Sequence, residues 1–289
     1  MRKASIPLTR MRTTDDIWRE ADGTAIWGTH SSILAYGLRI GIRTNRAELL
    51  DRILAYAPPL WKPTSARQVD RLFSFRFGSG TGRPTHLLLD DYEDEIRSRS
   101  LTAILKAFQM RLRVYVAEMA RRRVFVHAGS VGWRDKAIVI PGRSMSGKTS
   151  LVAELVRQGA TYYSDEYAVL DTDGRVHPYP QRLEVRTRGT VKEHELPAEQ
   201  IGGVTGTRPL PVSMVVVSRY EGGARWRPQR CSEGQAIMEM LANTASARRK
   251  PAIILPILQK TVSSAVVLKG VRGEAQRTAG LILERLSRE

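Results

Sequence analysis

Apolar positions recur with two different periods along this chain. SILAYGLRIGIRTN (32–45) and RLFSFRFG (71–78) alternate at a spacing of two, the period of a strand. The first predicts one or two strands, the second a half-exposed strand. Between them, AELLDRILAYAPPLW carries leucine and isoleucine at helical spacing and stops at Pro58-Pro59. THLLLDDYEDE (85–95) reads as a short apolar strand followed by an acidic turn. The first 30 residues are polar and weakly patterned. Over 98–121 the period changes: Leu101, Ile104, Leu105, Phe108, Leu112, Tyr115, Val116 and Met119 share one face of a helix. An aliphatic stripe of this kind is core packing.

Further on, strand and helix patterns alternate. RVFVHAGSV and KAIVIP predict two strands, KTSLVAELVRQG a helix ending at Gly159, and TYYSDEYAVLDTDGRVHPYP strands broken by an acidic pair and an Asp-Gly turn. RLEVRTRG and PLPVSMVVVSRY are strands, CSEGQAIMEMLANTASARRK a helix ending in basic residues, SSAVVLKGV a strand, and GEAQRTAGLILERLSRE the closing helix. Such alternation indicates an α/β architecture. The pattern predicts a small N-terminal α/β lobe over 1–95 and a larger domain over 96–289.

Candidate chemistry sits where the second of these strands meets the next helix. IPGRSMSGKTS fits G-x-x-x-x-G-K-[ST], with Gly142, Gly147, Lys148 and Thr149 at the fixed positions. Glycines permit the dihedrals a phosphate-cradling loop needs, and the following helix presents its positive end to the anion. Read this way, Gly142, Arg143, Ser144, Met145, Ser146, Gly147, Lys148, Thr149 and Ser150 form a nucleotide-binding loop. Lys148 reaches the β- and γ-phosphates, and the Thr149 hydroxyl holds Mg²⁺. Downstream, SDE places Asp165 and Glu166 at a strand end. Two adjacent acids there can share metal coordination and proton acceptance; alone they would also fit an exposed acidic turn. LLLDD (87–91) has the same look, but it lies upstream of the loop and is read as a plain strand and turn.

Composition changes this picture little. Hydrophobic residues make up 42% and charged ones 26% of 289 residues, as in ordinary globular proteins. The net charge of +17 is unusual and fits either an acidic partner or many solvated arginines. No nucleic-acid-binding motif accompanies it. One cysteine, Cys231, leaves no intramolecular disulfide, which fits a reducing cytoplasm. The basic N-terminus lacks the apolar core of a secretory signal, and no apolar run is long enough to cross a membrane. Five scattered histidines offer no pair at metal-ligand spacing. No G-x-S-x-G elbow points to acyl-enzyme chemistry.

VHAGSV, GRSMSGKTSLVAELVRQGATYYSDE and LEVR together resemble the catalytic domain of HPr kinase/phosphorylase, in particular the stand-alone bacterial HPr kinase-like serine kinases. The resemblance covers about 122–188 and is absent from 1–95. It implies a phosphoenolpyruvate-carboxykinase-type P-loop domain with a mixed sheet, ATP and Mg²⁺, and transfer of the γ-phosphoryl group to a serine hydroxyl. The acceptor would be a protein, peptide or small molecule, and the N-terminal lobe a module that recognises it. By carry-over, His127 sits beside the phosphates and Asp165 and Glu166 divide metal and base duty, with Asp165 the expected base. Glu184 and Arg186 then lie near the metal and the acceptor. From the residues alone, His127 would be a structural strand histidine, and Glu184 and Arg186 a surface ion pair on one strand face. The family tends to form oligomers, although no interface pattern is legible here. Three departures accompany the resemblance. Met145 replaces an inner glycine of the loop, the acidic pair is Asp-Glu rather than Asp-Asp, and the family's later phosphate-site loop has no counterpart. The resemblance therefore gives no ground for the reverse, phosphorylase, reaction. The alternative reading is a P-loop ATPase or nucleotide-sensing module without an acceptor.

Overall fold

A computed structural model describes residues 12–13, 27–66, 68–79, 84–91, 94–143, 146–186 and 193–289, excepting the side chains of 12–13, 184–186 and 193–195. Ser144 and Met145 lie outside the described residues, as do the side chains of Glu184 and Arg186. The chain is mixed α/β and forms two compact units, Met1–Arg121 and Arg122–Glu289. The division falls after the long helix, not near residue 95 where the change of period suggests it.

In the first unit, β1 (Thr29–Ala35) and β2 (Leu38–Thr44) form a hairpin. Its two turn residues, Tyr36 and Gly37, both take positive φ, of 51° and 81°. That is the turn whose twist matches paired strands. β3 (Arg71–Arg76) runs parallel to β2, and β4 (His86–Asp90) antiparallel to β3. The half-exposed strand expected at 71–76 is instead buried at all but its last residue. Its polar positions have partners inside: Arg43 Nε donates to Ser74 Oγ at 2.7 Å, and Arg71 pairs with Asp90. Helix α1 (Leu101–Met119) turns Ile104, Leu105, Phe108, Leu112 and Val116 inward. Phe108 meets Phe73 and Phe75 edge-on at 5.0 and 5.1 Å.

Asp90, the acid of LLLDD, has a fully buried side chain and accepts from Arg71 at 2.7 Å and Arg111 at 2.9 Å. Its work is to compensate two buried guanidinium groups. Replacing it with alanine removes a buried carboxylate that pairs with two buried arginines, so Asp90→Ala is expected to destabilise the chain by about 3 kcal/mol. Urea unfolding of the variant, followed by circular dichroism, measures this.

The second unit is built on a mixed sheet. β5 (Val124–Trp133) pairs antiparallel with β6 (Lys136–Pro141), with β7 (Thr161–Ser164) and with β8 (Tyr167–Leu170). One long strand thus supports the segments on both sides of the glycine-rich loop. β6, β9 (Leu210–Tyr220) and β10 (Val266–Arg272) are parallel neighbours, so Pro141, Tyr220 and Arg272 end on one edge. Alternation sends Ile138, Ile140, Met214 and Val216 to one face and Ala137, Val139 and Val215 to the other. Helices α2 (Lys148–Arg157) and α5 (Ala275–Arg288) cover the first face. Helices α3 (Glu233–Ala242) and α4 (Pro251–Val262) cover the second. Ser232 caps α3 with a capping box. That helix stops at Ala242, short of the basic residues where the sequence pattern ends it.

Candidate functional site

Ligands of open α/β sheets gather at the carboxyl edge of parallel strands. Here β6 reaches that edge at Pro141 and the chain turns back into α2 through the glycine-rich loop. The loop is tied down at its start, where Gly142 N–H donates to His127 O at 3.3 Å. It tightens where Ser146 N–H donates to Arg143 O at 3.2 Å. Gly147 is left-handed, with φ 84°, and forms the N-cap of α2. Its carbonyl accepts the first helical bond, from Leu151 N–H at 3.2 Å.

Lys148 follows at once and is only 7% exposed. Its Nζ folds back over the loop and donates to Arg143 O at 2.9 Å. Burial lowers its pKa, against the opposing attraction of Glu166 and Asp165. The Thr149 side chain is close enough to Asp165 to favour its ionised form. Ser150, next along, is exposed.

The acids are placed by a reversal of the chain between β7 and β8. Ser164 Oγ accepts from Glu166 N–H at 3.1 Å and from Tyr167 N–H at 3.0 Å, which fixes the turn. Asp165 is 8% exposed, and its Oδ1 accepts from the Tyr162 hydroxyl at 2.8 Å. Burial raises the Asp165 pKa, and the Tyr162 and Thr149 side chains offset only part of that rise. Burial and the neighbouring Asp165 push the Tyr162 phenol far above its usual value. His127 lies on β5 directly opposite Tyr167. Its Nε2 stands 3.9 Å from Glu166 Oε1. His127 N–H donates to Asn243 O at 2.7 Å, and Glu166 O accepts from Ala128 N–H at 3.2 Å.

The structure therefore brings together Gly142, Arg143, Ser146, Gly147, Lys148 and Thr149 with His127, Asp165 and Glu166. β11 (Leu183–Arg186) carries Glu184 and Arg186 and pairs with β12 (Glu193–Leu196). Gln181, two residues ahead of it, lies near Asp165, since the Tyr162 hydroxyl is also 3.0 Å from Gln181 O. Two features fit an anionic ligand held with a hard cation. Ser146 Oγ is buried without a hydrogen-bond partner among the described residues, and a Cβ at Gly142 would stand 2.8 Å from it. A buried carboxylate, a nearby glutamate and a hydroxyl are hard oxygen donors. Among the described residues, no three His, Cys, Asp or Glu cluster to cage a metal. Mg²⁺ takes one or two carboxylates and completes its shell with water and phosphate oxygens, and Asp165 and Glu166 are two such carboxylates.

Sequence reasoning missed Tyr162 and Arg272. Tyr162 stands three residues before Asp165 in TYYSDE, where the strand pattern alone reads it as core. Arg272, at the end of β10, had no local signal at all.

No family model matches the chain. No curated protein matches it either. Among solved structures, the chain is similar to the HPr(Ser) kinase/phosphatase from Coxiella burnetii, at 14% identity and a TM-score of 0.33, over 57% of this chain and 95% of that one.

Proposed function

We propose that the chain is an ATP-dependent phosphotransferase of the phosphoenolpyruvate-carboxykinase/HPr-kinase P-loop type, acting on a serine hydroxyl. The acceptor belongs to a protein, peptide or small molecule. One observation carries the reading: beside the buried Lys148 and Asp165, His127 joins the glycine-rich loop to the acidic pair, its carbonyl accepting from Gly142 N–H at 3.3 Å and its Nε2 standing 3.9 Å from Glu166 Oε1. A structural turn needs neither a buried lysine nor a buried aspartate, and each is costly without function.

In this reading residues 142–150 hold the triphosphate of ATP, and Lys148 Nζ leaves Arg143 O to meet it. Thr149, Asp165 and Glu166 would hold Mg²⁺, which supplies charge neutralisation at the phosphates. Asp165 accepts the serine hydroxyl proton. The serine oxygen forms its bond to phosphorus, and the bond to the ADP leaving oxygen breaks. The raised pKa of Asp165 makes it a better proton acceptor than an ordinary carboxylate. His127 orients Glu166 and the reacting groups, and Glu184 and Arg186 serve the metal and the acceptor. Residues 1–121 serve to recognise the acceptor.

ATP consumption with Mg²⁺, measured with and without serine-containing acceptors, tests the proposal. Turnover is expected to depend on the acceptor. Equal turnover without one would mean an ATPase, and no ATP binding would overturn the reading.

A further inference from the structure

Arg272 ends β10 beside the loop, and it is 1% exposed. Its Nη2 donates to Gly147 O at 2.7 Å and its Nη1 to Gly273 O at 2.9 Å. Its Nε is buried and has no hydrogen-bond partner among the described residues. The Tyr220 ring, at the end of the neighbouring parallel strand, covers it at 5.4 Å. No carboxylate forms an ion pair with Arg272 among the described residues. The Tyr220 hydroxyl lies 3.3 Å from Glu274 Oε1, at the N-cap of α5. A guanidinium this deeply buried, bonded only to two carbonyls, is an expensive way to fill space.

The geometry gives it a use. The Gly147–Lys148 peptide is planar and trans, so its C=O and N–H point in opposite directions. Gly147 O faces along α2, where Leu151 N–H and Arg272 both hold it. The N–H of Lys148 must then face out of the helix N-terminus, into the loop. Glycine tolerates many conformations, so at Gly147 the bond from Arg272 adds a second restraint to the one from Leu151 N–H. The guanidinium also adds a full positive charge behind the partial charge of the helix end.

We propose that Arg272 is a positioning residue of the anion site: by holding the Gly147 carbonyl it fixes the Lys148 N–H in the direction that receives a phosphate. This rests on the proposed reading of the loop as an ATP site. Arg272 itself touches no substrate in this role.

The test measures ATP affinity by calorimetry, together with kcat and KM, for the full chain and for Arg272→Met, Arg272→Lys and Tyr220→Leu. Melting curves establish that each protein is folded at the assay temperature. Arg272→Met is expected to weaken ATP binding and raise KM at least tenfold, with kcat within about threefold of wild type. Arg272→Lys, which keeps the charge and one donor, is expected to recover part of that loss. Should Arg272→Met not fold, Tyr220→Leu carries the test. Position 220 is half exposed, and losing the ring admits water to the guanidinium, so affinity is expected to fall about threefold. Folded variants that bind ATP as tightly as wild type would overturn the positioning role. A wild-type chain that binds no ATP would overturn the loop reading and this inference with it. A kcat loss with unchanged KM would also overturn it, because that places Arg272 in the chemical step.

Discussion

Lys148→Ala is expected to reduce ATP turnover about 10³-fold, the scale set by removing one preorganised donor to developing charge. The magnitude follows from where the lysine sits. Its ammonium is nearly buried, so it acts in a poorly screened environment, and it is held only by Arg143 O, a partner it can exchange for phosphate oxygens. Asp165 and Glu166 draw it to the same place. Stability is expected to change by less than about 1 kcal/mol, because the lost hydrogen bond and the relieved burial of charge oppose each other. Steady-state kinetics beside a thermal melt separates the two effects. A variant that melts normally but keeps wild-type turnover would remove Lys148 from the mechanism.

Asp165→Asn is expected to move activity and stability in opposite directions. Loss of the proton acceptor lowers kcat by about 10³-fold. The folded protein becomes more stable at neutral pH by about 1 kcal/mol, or about 3 °C in Tm. The sign comes from the raised pKa. Burial makes Asp165 bind its proton more tightly in the folded chain than in the unfolded one. Its contribution is therefore most favourable below the ordinary carboxylate range and declines as pH climbs from there through the folded value. Asparagine has no such decline, so the gap between variant and wild type should open with rising pH and be nearly absent at low pH. It can also keep the bond from the Tyr162 hydroxyl through its own oxygen. Melting curves across pH read this directly. A variant less stable than wild type at neutral pH would mean that Asp165 is there to hold the fold.

Much of this site was legible as sequence because its chemistry is local. Gly147, Lys148 and Thr149 are consecutive, and the strand and helix around them carry opposite periodicities. The pair Asp165-Glu166 ends a strand whose pattern is equally plain. What resisted reading depends on contacts distant in sequence. RLFSFRFG looks half exposed because its alternate residues are polar, yet Arg71 and Ser74 find buried partners in Asp90 and Arg43. Alternation records which residues are polar and is silent on whether another strand or helix will satisfy them. LLLDD and SDE look alike for the same reason. One acid faces two arginines in the first unit and the other a lysine, a threonine and a tyrosine in the second. The boundary after Arg121 was hidden because a helix packed on either unit has the same apolar stripe. Arg272 reaches Gly147 across more than a hundred residues, and only the parallel pairing of β6, β9 and β10 brings them to one edge.

Gly147 combines a φ of 84° with a Cβ position 2.4 Å from Arg272 Nη2. Every single-base change that alters a glycine codon installs a side chain or a stop, so this position has no acceptable neighbour in codon space. A side chain at 147 would have to bear the left-handed φ and also displace the Arg272 guanidinium from its place. Among relatives of this chain, a residue other than glycine there is expected to be rare and to accompany a change at the position of Arg272.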